Sequence, residues 1–263
     1  MICFVCSFTF PMIISLRKKT NINEYEKKYK EKIMTKLIEA FDSSLKYYPE
    51  SNIDYEDYKK LKVEHFNEFL SSDVINGIYG NDEITISKVI TEYKYYNHTS
   101  NTHINSTRKY ETFEGVFAKS KLSSHPNFEL YIKKKKILND KLFNTFAADV
   151  NQVVKNKNTE NYLETNYYNI NIPNLNKYFN IHSSNSNCNI FDEGLIKILI
   201  DLYNTKKFEI AIIENYIYMR FWIDGLFSAP PLKDEVYDKE ILYKNYLALY
   251  LVSYLLDEFK KRI

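Results

Sequence analysis

Glycine and proline are scarce in this chain: 5 and 6 of 263 residues. Loops that cradle phosphate need close backbone approach without a Cβ, so low glycine argues against such sites. There are only 3 cysteines, and a disulfide framework needs an even, dispersed set, so a reducing compartment is expected. Cys3 and Cys6 have the spacing of a redox or metal pair, but they lack a strand–helix context and a second ligand pair. No G-x-S-x-G elbow occurs, and none of His65, His98, His103, His125 and His182 forms a helical pair beside a glutamate. No catalytic residue, cofactor or metal is therefore implied. A dominant charge sign is also missing: the net charge is +2, too small for a general polyanion binder, and nucleic acid is not expected as a partner.

What is present is a globular composition, 44% hydrophobic and 27% charged, with Tyr 24 and Phe 17. The 28 asparagines, with many lysines and isoleucines, suggest an A+T-rich genome, which lowers the information carried by any one Asn, Lys or Tyr. Met1 to Leu16 carries no charge, and Arg17, Lys18 and Lys19 follow at once, the order found at cytoplasm-facing anchors. Sixteen helical residues span about 24 Å, short of the roughly 30 Å hydrocarbon core. Three readings stand side by side: the end of a longer membrane helix, a weak anchor, or a buried N-terminal segment. The expected location is the cytoplasmic face of the membrane or the cytoplasm.

Periodicity predicts a helix over Ile22 to Phe41 and short helices over Asp54 to Leu61 and Glu64 to Leu70. Alternation predicts strands across Glu83 to Tyr96, Arg108 to Lys119 and Phe128 to Ile132, with Asn97 to Thr107 as an exposed hairpin loop. A helix is expected over Ile137 to Val154, then strands at Tyr167 to Ile172 and Tyr178 to His182. A helix over Phe191 to Tyr203 precedes a hairpin of Phe208 to Ile213 with Tyr216 to Ile223, and a long helix over Tyr237 to Lys261 closes the chain. The expected class is α+β: mostly antiparallel strands in two separate sheet regions, packed with amphipathic helices. Residues 1–19 read as an apolar segment with a basic junction and 20–150 as a helix plus sheet region. Residues 151–166 read as a polar linker and 167–263 as a second α+β region.

The succession KKYKEKIMTKLIEAF, SNIDYEDYKKLKVEHFNEF, NGIYGNDEITIS and TFEGVFAKS, followed by KYFNIHSS, LIKILIDLY and FEIAIIENYIYMRF, resembles the bacterial family catalogued as domain of unknown function 3137. The resemblance covers roughly residues 24–260, as an order of blocks more than as identities. It implies a cytoplasm-facing domain behind N-terminal membrane helices, with no catalytic residue to carry over. Two departures stand out: the apolar segment is short, and AKSKLSSHPNFELYIKKKK is basic where the family is acidic.

The candidate contacts with an anionic surface are Arg17, Lys18 and Lys19, and Lys133, Lys134, Lys135 and Lys136. The competing reading of the second group is a solvated strand end that discourages edge pairing. Phe221 and Trp222 are candidate partner contacts, because neighbours on a strand face opposite ways and one of the two can be exposed. Tyr243, Tyr246, Tyr250 and Tyr254 form a stripe that reads as packing surface. The sequence favours a non-enzymatic interaction domain at or near the membrane, with a membrane surface or a protein as partner. Two alternatives are an enzyme with a dispersed active site and a domain that binds anionic lipid or nucleic acid through a basic edge.

Overall fold

The segment FEIAII, apolar but for one glutamate, forms a strand buried along its whole length, Phe208–Ile213. A strand of this kind needs partners on both sides and cover on both faces. The structure, a computed structural model, describes residues 23–63, 66–97, 106–135, 159–231 and 238–263. Its strands are β1 (Lys46–Tyr48), β2 (Glu68–Tyr79), β3 (Asp82–Asn97), β4 (Ser106–Lys121), β5 (Leu130–Lys134), β6 (Tyr168–Asn169), β7 (Phe179–Ser183), β8 (Phe208–Ile213) and β9 (Tyr216–Trp222). They make one nine-stranded antiparallel sheet in the order β1-β2-β3-β4-β9-β8-β5-β7-β6.

This corrects the expected class. The strands do not form two sheet regions of an α+β fold; the molecule is mostly one antiparallel sheet with few helices, one of them long and C-terminal. The joins are long-range: β4 pairs with β9 from Gly115↔Trp222 to Lys121↔Tyr216, and β5 enters between β8 and β7, with Tyr131 opposite both Ala211 and His182. Local periodicity shows that each strand has an apolar face but not which distant strand lies beside it. The short helix expected over Glu64 to Leu70 is corrected as well, since Glu68 begins β2. The helix expected over Ile137 to Val154 lies outside the described residues, as do Met1 to Lys19.

The helices are α1 (23–41, with a π-helical turn at Lys30–Met34), α2 (Tyr55–Lys59), α3 (Thr159–Asn166), α4 (Glu193–Thr205) and α5 (Lys239–Lys260). Side-chain caps fix three of their starts. Asp54 accepts from Glu56 N–H at 2.9 Å, Asp192 from Leu195 N–H at 2.6 Å and Asp238 from Glu240 N–H at 2.9 Å. The acidic groups Asp54/Glu56/Asp57 and Asp192/Glu193 thus serve as helix starts. No helix of the described residues is long and apolar enough to cross a membrane.

Alternation along the strands feeds two cores. Ile86, Val116, Met219, Phe221, Phe208, Ile210 and Ile132 face Met34 and Ile38 of α1, Leu195 and Leu199 of α4, and Leu249, Val252, Leu256 and Phe259 of α5. On the opposite face Val89, Phe113, Phe117, Tyr131, Ala211 and Tyr218 pack against Tyr58, Leu61, Val63 and Leu163. Asp73 pins α1 to the sheet. It sits at a bulge in β2 with φ 59, and its buried carboxylate accepts from Lys30 Nζ at 2.9 Å, Ser72 Oγ at 2.7 Å and the Tyr47 hydroxyl.

Candidate functional site

β9 stops before β4 does. The ladder ends at Gly115↔Trp222, where Trp222 turns its N–H to the Lys207 carbonyl at 3.0 Å, away from β4. Gly225, at φ 67, turns the chain away, and its N–H donates to Glu114 Oε1 at 3.0 Å. From Ser106 to Glu114, β4 therefore has β3 on one side and, among the described residues, no strand on the other. The free edge is bent. Thr91 pairs with Phe113 and Glu92 with Glu111, so Thr112 is an extra residue, and its hydroxyl donates back to the Thr91 carbonyl at 3.0 Å.

A cleft of about 290 Å³ opens at this step, lined by Glu111, Thr112, Phe113, Glu114, Trp222 and Asp224. Ligand pockets for small molecules usually measure about 300–1,000 Å³. The volume suits one inserted side chain better than a cofactor. Phe113 and Trp222 meet edge to face, their ring centroids 5.1 Å apart. The carboxylates crowd one another: the register sets Glu92 directly opposite Glu111, a like-charge pair that sheets ordinarily avoid. Glu111 is largely exposed, but partial desolvation against the cleft wall pushes its carboxyl above its ordinary value, and repulsion from Glu114, Glu92 and Asp224 adds to this against the pull of Lys88. Lys88 Nζ is 3.5 Å from Glu114 and Lys109 Nζ is 3.3 Å from Glu92. Among the described residues neither the Glu111 nor the Asp224 carboxylate forms an ion pair, although Lys244 Nζ donates to the Asp224 backbone carbonyl at 3.1 Å.

A buried ionic group backs the cleft. Glu209 comes from β8 and Arg220 from β9, directly opposite each other in the register. Arg220 donates through Nε at 2.9 Å and Nη2 at 2.7 Å to Glu209 Oε2, and through Nη1 to the Tyr58 hydroxyl at 3.0 Å. Lys133 of β5 donates to the same carboxylate at 2.6 Å and to the Leu61 carbonyl at 2.9 Å. Burial alone would raise the Glu209 pKa; the attraction of Arg220 and then of Lys133 outweighs it and brings the group down to about 2. The Arg220 guanidinium lies 4.4 Å from the Trp222 ring centroid and 5.0 Å from that of Phe113, so the same group supports the aromatic wall.

Of the residues singled out in the sequence, Trp222 lies in the cleft, half-buried, while Phe221 faces the opposite way into the core. The described lysines of the run, Lys133 to Lys135, each have a different partner. Lys133 belongs to the Glu209 group, Lys134 holds its Nζ 4.5 Å from the Trp222 ring centroid, and Lys135 donates to the Asn176 carbonyl. Lys136, Arg17, Lys18 and Lys19 lie outside the described residues. Of the tyrosine stripe, Tyr243, Tyr246 and Tyr250 are exposed, and Tyr250 stacks on Tyr254 at 5.7 Å. Sequence reasoning missed Glu111, Glu114, Asp224, Glu209 and Arg220. For the last two a signal existed: each is the one charge inside an apolar strand, FEIAII and YIYMRFW. No family model matches the chain, and neither a curated protein nor a solved structure matches it.

Proposed function

We propose that the protein is a non-enzymatic interaction module that takes up an extended segment of a partner protein along the free edge of β4. The observation that carries this is the step in the sheet: β9 ends at Trp222 while β4 continues, so that among the described residues no strand pairs with one side of Ser106 to Glu114, beside an open cleft. Strand addition satisfies such an edge with main-chain hydrogen bonds and reads side chains in an adjoining pocket. The volume of the cleft and the buried ionic support of Trp222 fit a rigid receiving surface.

Trp222 is the only tryptophan, so its emission reports the cleft directly. The full chain is titrated with a panel of extended, β-prone peptides, and hydrogen exchange is followed on the bound form. The expected result is a change in Trp222 emission, with slowed exchange confined to the β4 edge between Ser106 and Glu114. Binding that slows exchange elsewhere and leaves this edge untouched would show the reading to be wrong.

We also place the module at the cytoplasmic face of a membrane. The run from apolar Met1–Leu16 to Arg17-Lys18-Lys19 supports this. The expected outcome of cell fractionation is that the full chain partitions weakly to membranes and a chain lacking residues 1–19 does not. Equal partition of the two would remove the anchor.

A further inference from the structure

Strand capture by itself is indifferent to side chains, and exposed edges are usually defended by bulges and charges. The β4 edge carries both, the bulge at Thr112 and the carboxylates of Glu111 and Glu114, so a productive partner must complement them. We infer that the captured segment is basic, with a lysine or arginine entering the cleft between Glu111 and Asp224. This rests on the proposed edge capture and names the chemistry of its partner.

Three observations converge on it. First, the carboxylates at the cleft outnumber the cations paired with them: Lys88 serves Glu114, Lys109 serves Glu92 and Lys244 donates only to the Asp224 backbone carbonyl at 3.1 Å, which leaves the Glu111 and Asp224 carboxylates lining the opening. Second, Glu111 is exposed and stands opposite Glu92, an arrangement a bound cation would relieve. Third, the wall beside these carboxylates is aromatic, Phe113 and Trp222, and it already takes cations, with Arg220 4.4 Å and Lys134 4.5 Å from the Trp222 ring centroid; the methylene stem of a further long basic side chain can lie along it while its charged end reaches the carboxylates. An acidic segment would meet the carboxylates of Glu111, Glu114 and Asp224. A neutral one would leave the crowding in place.

The test uses the full chain and three extended peptides of one sequence, differing only in whether alternate positions carry Lys, Gln or Glu. Trp222 emission gives affinity and hydrogen exchange on β4 gives location. At about 50 mM salt, where the screening length is close to 14 Å, the Lys peptide is expected to bind about tenfold more tightly than the Gln peptide, and the Glu peptide more weakly than either. Raising the salt to about 1 M should narrow the gap. In the double variant Glu111→Gln, Asp224→Asn the Lys peptide should bind no better than the Gln peptide. Both positions are exposed, and a thermal melt checks that the variant is folded. Equal binding of Lys and Gln peptides, with β4 still protected, overturns the charge selection and leaves edge capture standing. Lys-peptide binding unaffected by the double variant overturns it too, because the selectivity then lies elsewhere. If no peptide protects the β4 edge, edge capture itself fails.

Discussion

Arg220→Met is expected to lower stability by about 3–5 kcal/mol, the usual effect of removing one partner from a buried ion pair. The guanidinium is 3% exposed and the Glu209 carboxylate 4%, so water cannot take over the lost contacts. Lys133 alone then faces a carboxylate that two cations had held. The Tyr58 hydroxyl loses its Nη1 donor, and the Trp222 and Phe113 rings lose the cation beside them. Urea denaturation measures the change. A triple variant Arg220→Met, Glu209→Leu, Lys133→Met should recover most of it, because an apolar set in the same space leaves no charge unpaired. If the single variant is as stable as the native chain, the group is not buried as described. The pH dependence has a definite sign. The folded Glu209 carboxyl is depressed from 4.5 to about 2, so its contribution is complete above about pH 4.5 and is lost as pH falls toward 2. In Arg220→Met the depression weakens, and acid unfolding should begin at higher pH.

Local patterns made much of the molecule legible. Alternation marked β3 and β4, short apolar runs around a tight turn marked β8 and β9, and the 3.6-residue period marked α4 and α5, because each pattern is written within one element. Pairing between β4 and β9 joins residues about a hundred positions apart, from Lys121↔Tyr216 to Gly115↔Trp222, and no local signal carries it. The same gap hid the candidate site. Its members come from β4, from Trp222 and from Asp224, and they become neighbours only once that ladder forms. Trp222 was visible because strand geometry turns it away from the core face that takes Phe221, whereas nothing local sets Glu111 apart from other strand carboxylates. Four adjacent lysines, Lys133 to Lys136, read locally as one surface, whereas Lys133 lies on the strand face that holds Glu209.

Gly115→Ala is expected to be the other severe substitution, at about 3 kcal/mol, the upper part of the range for forcing extra atoms into a packed site. A methyl group at this position would lie 1.9 Å from the Phe221 carbonyl oxygen and 3.0 Å from the Phe113 ring. The first of these is backbone of the neighbouring strand, so relief requires β4 and β9 to part where their ladder ends. Gly80→Ala is the control. Gly80 has φ 64 and open space around it, so an alanine there pays only for a left-handed backbone, about 1–2 kcal/mol. Chemical denaturation of both variants should rank Gly115→Ala as clearly the worse. Because Gly115 pairs with Trp222, opening the ladder there should also shift tryptophan emission, which Gly80→Ala should leave alone. Should Gly115→Ala prove no more damaging than Gly80→Ala, the close approach of β4 to β9 would be wrong, and with it the step that shapes the cleft.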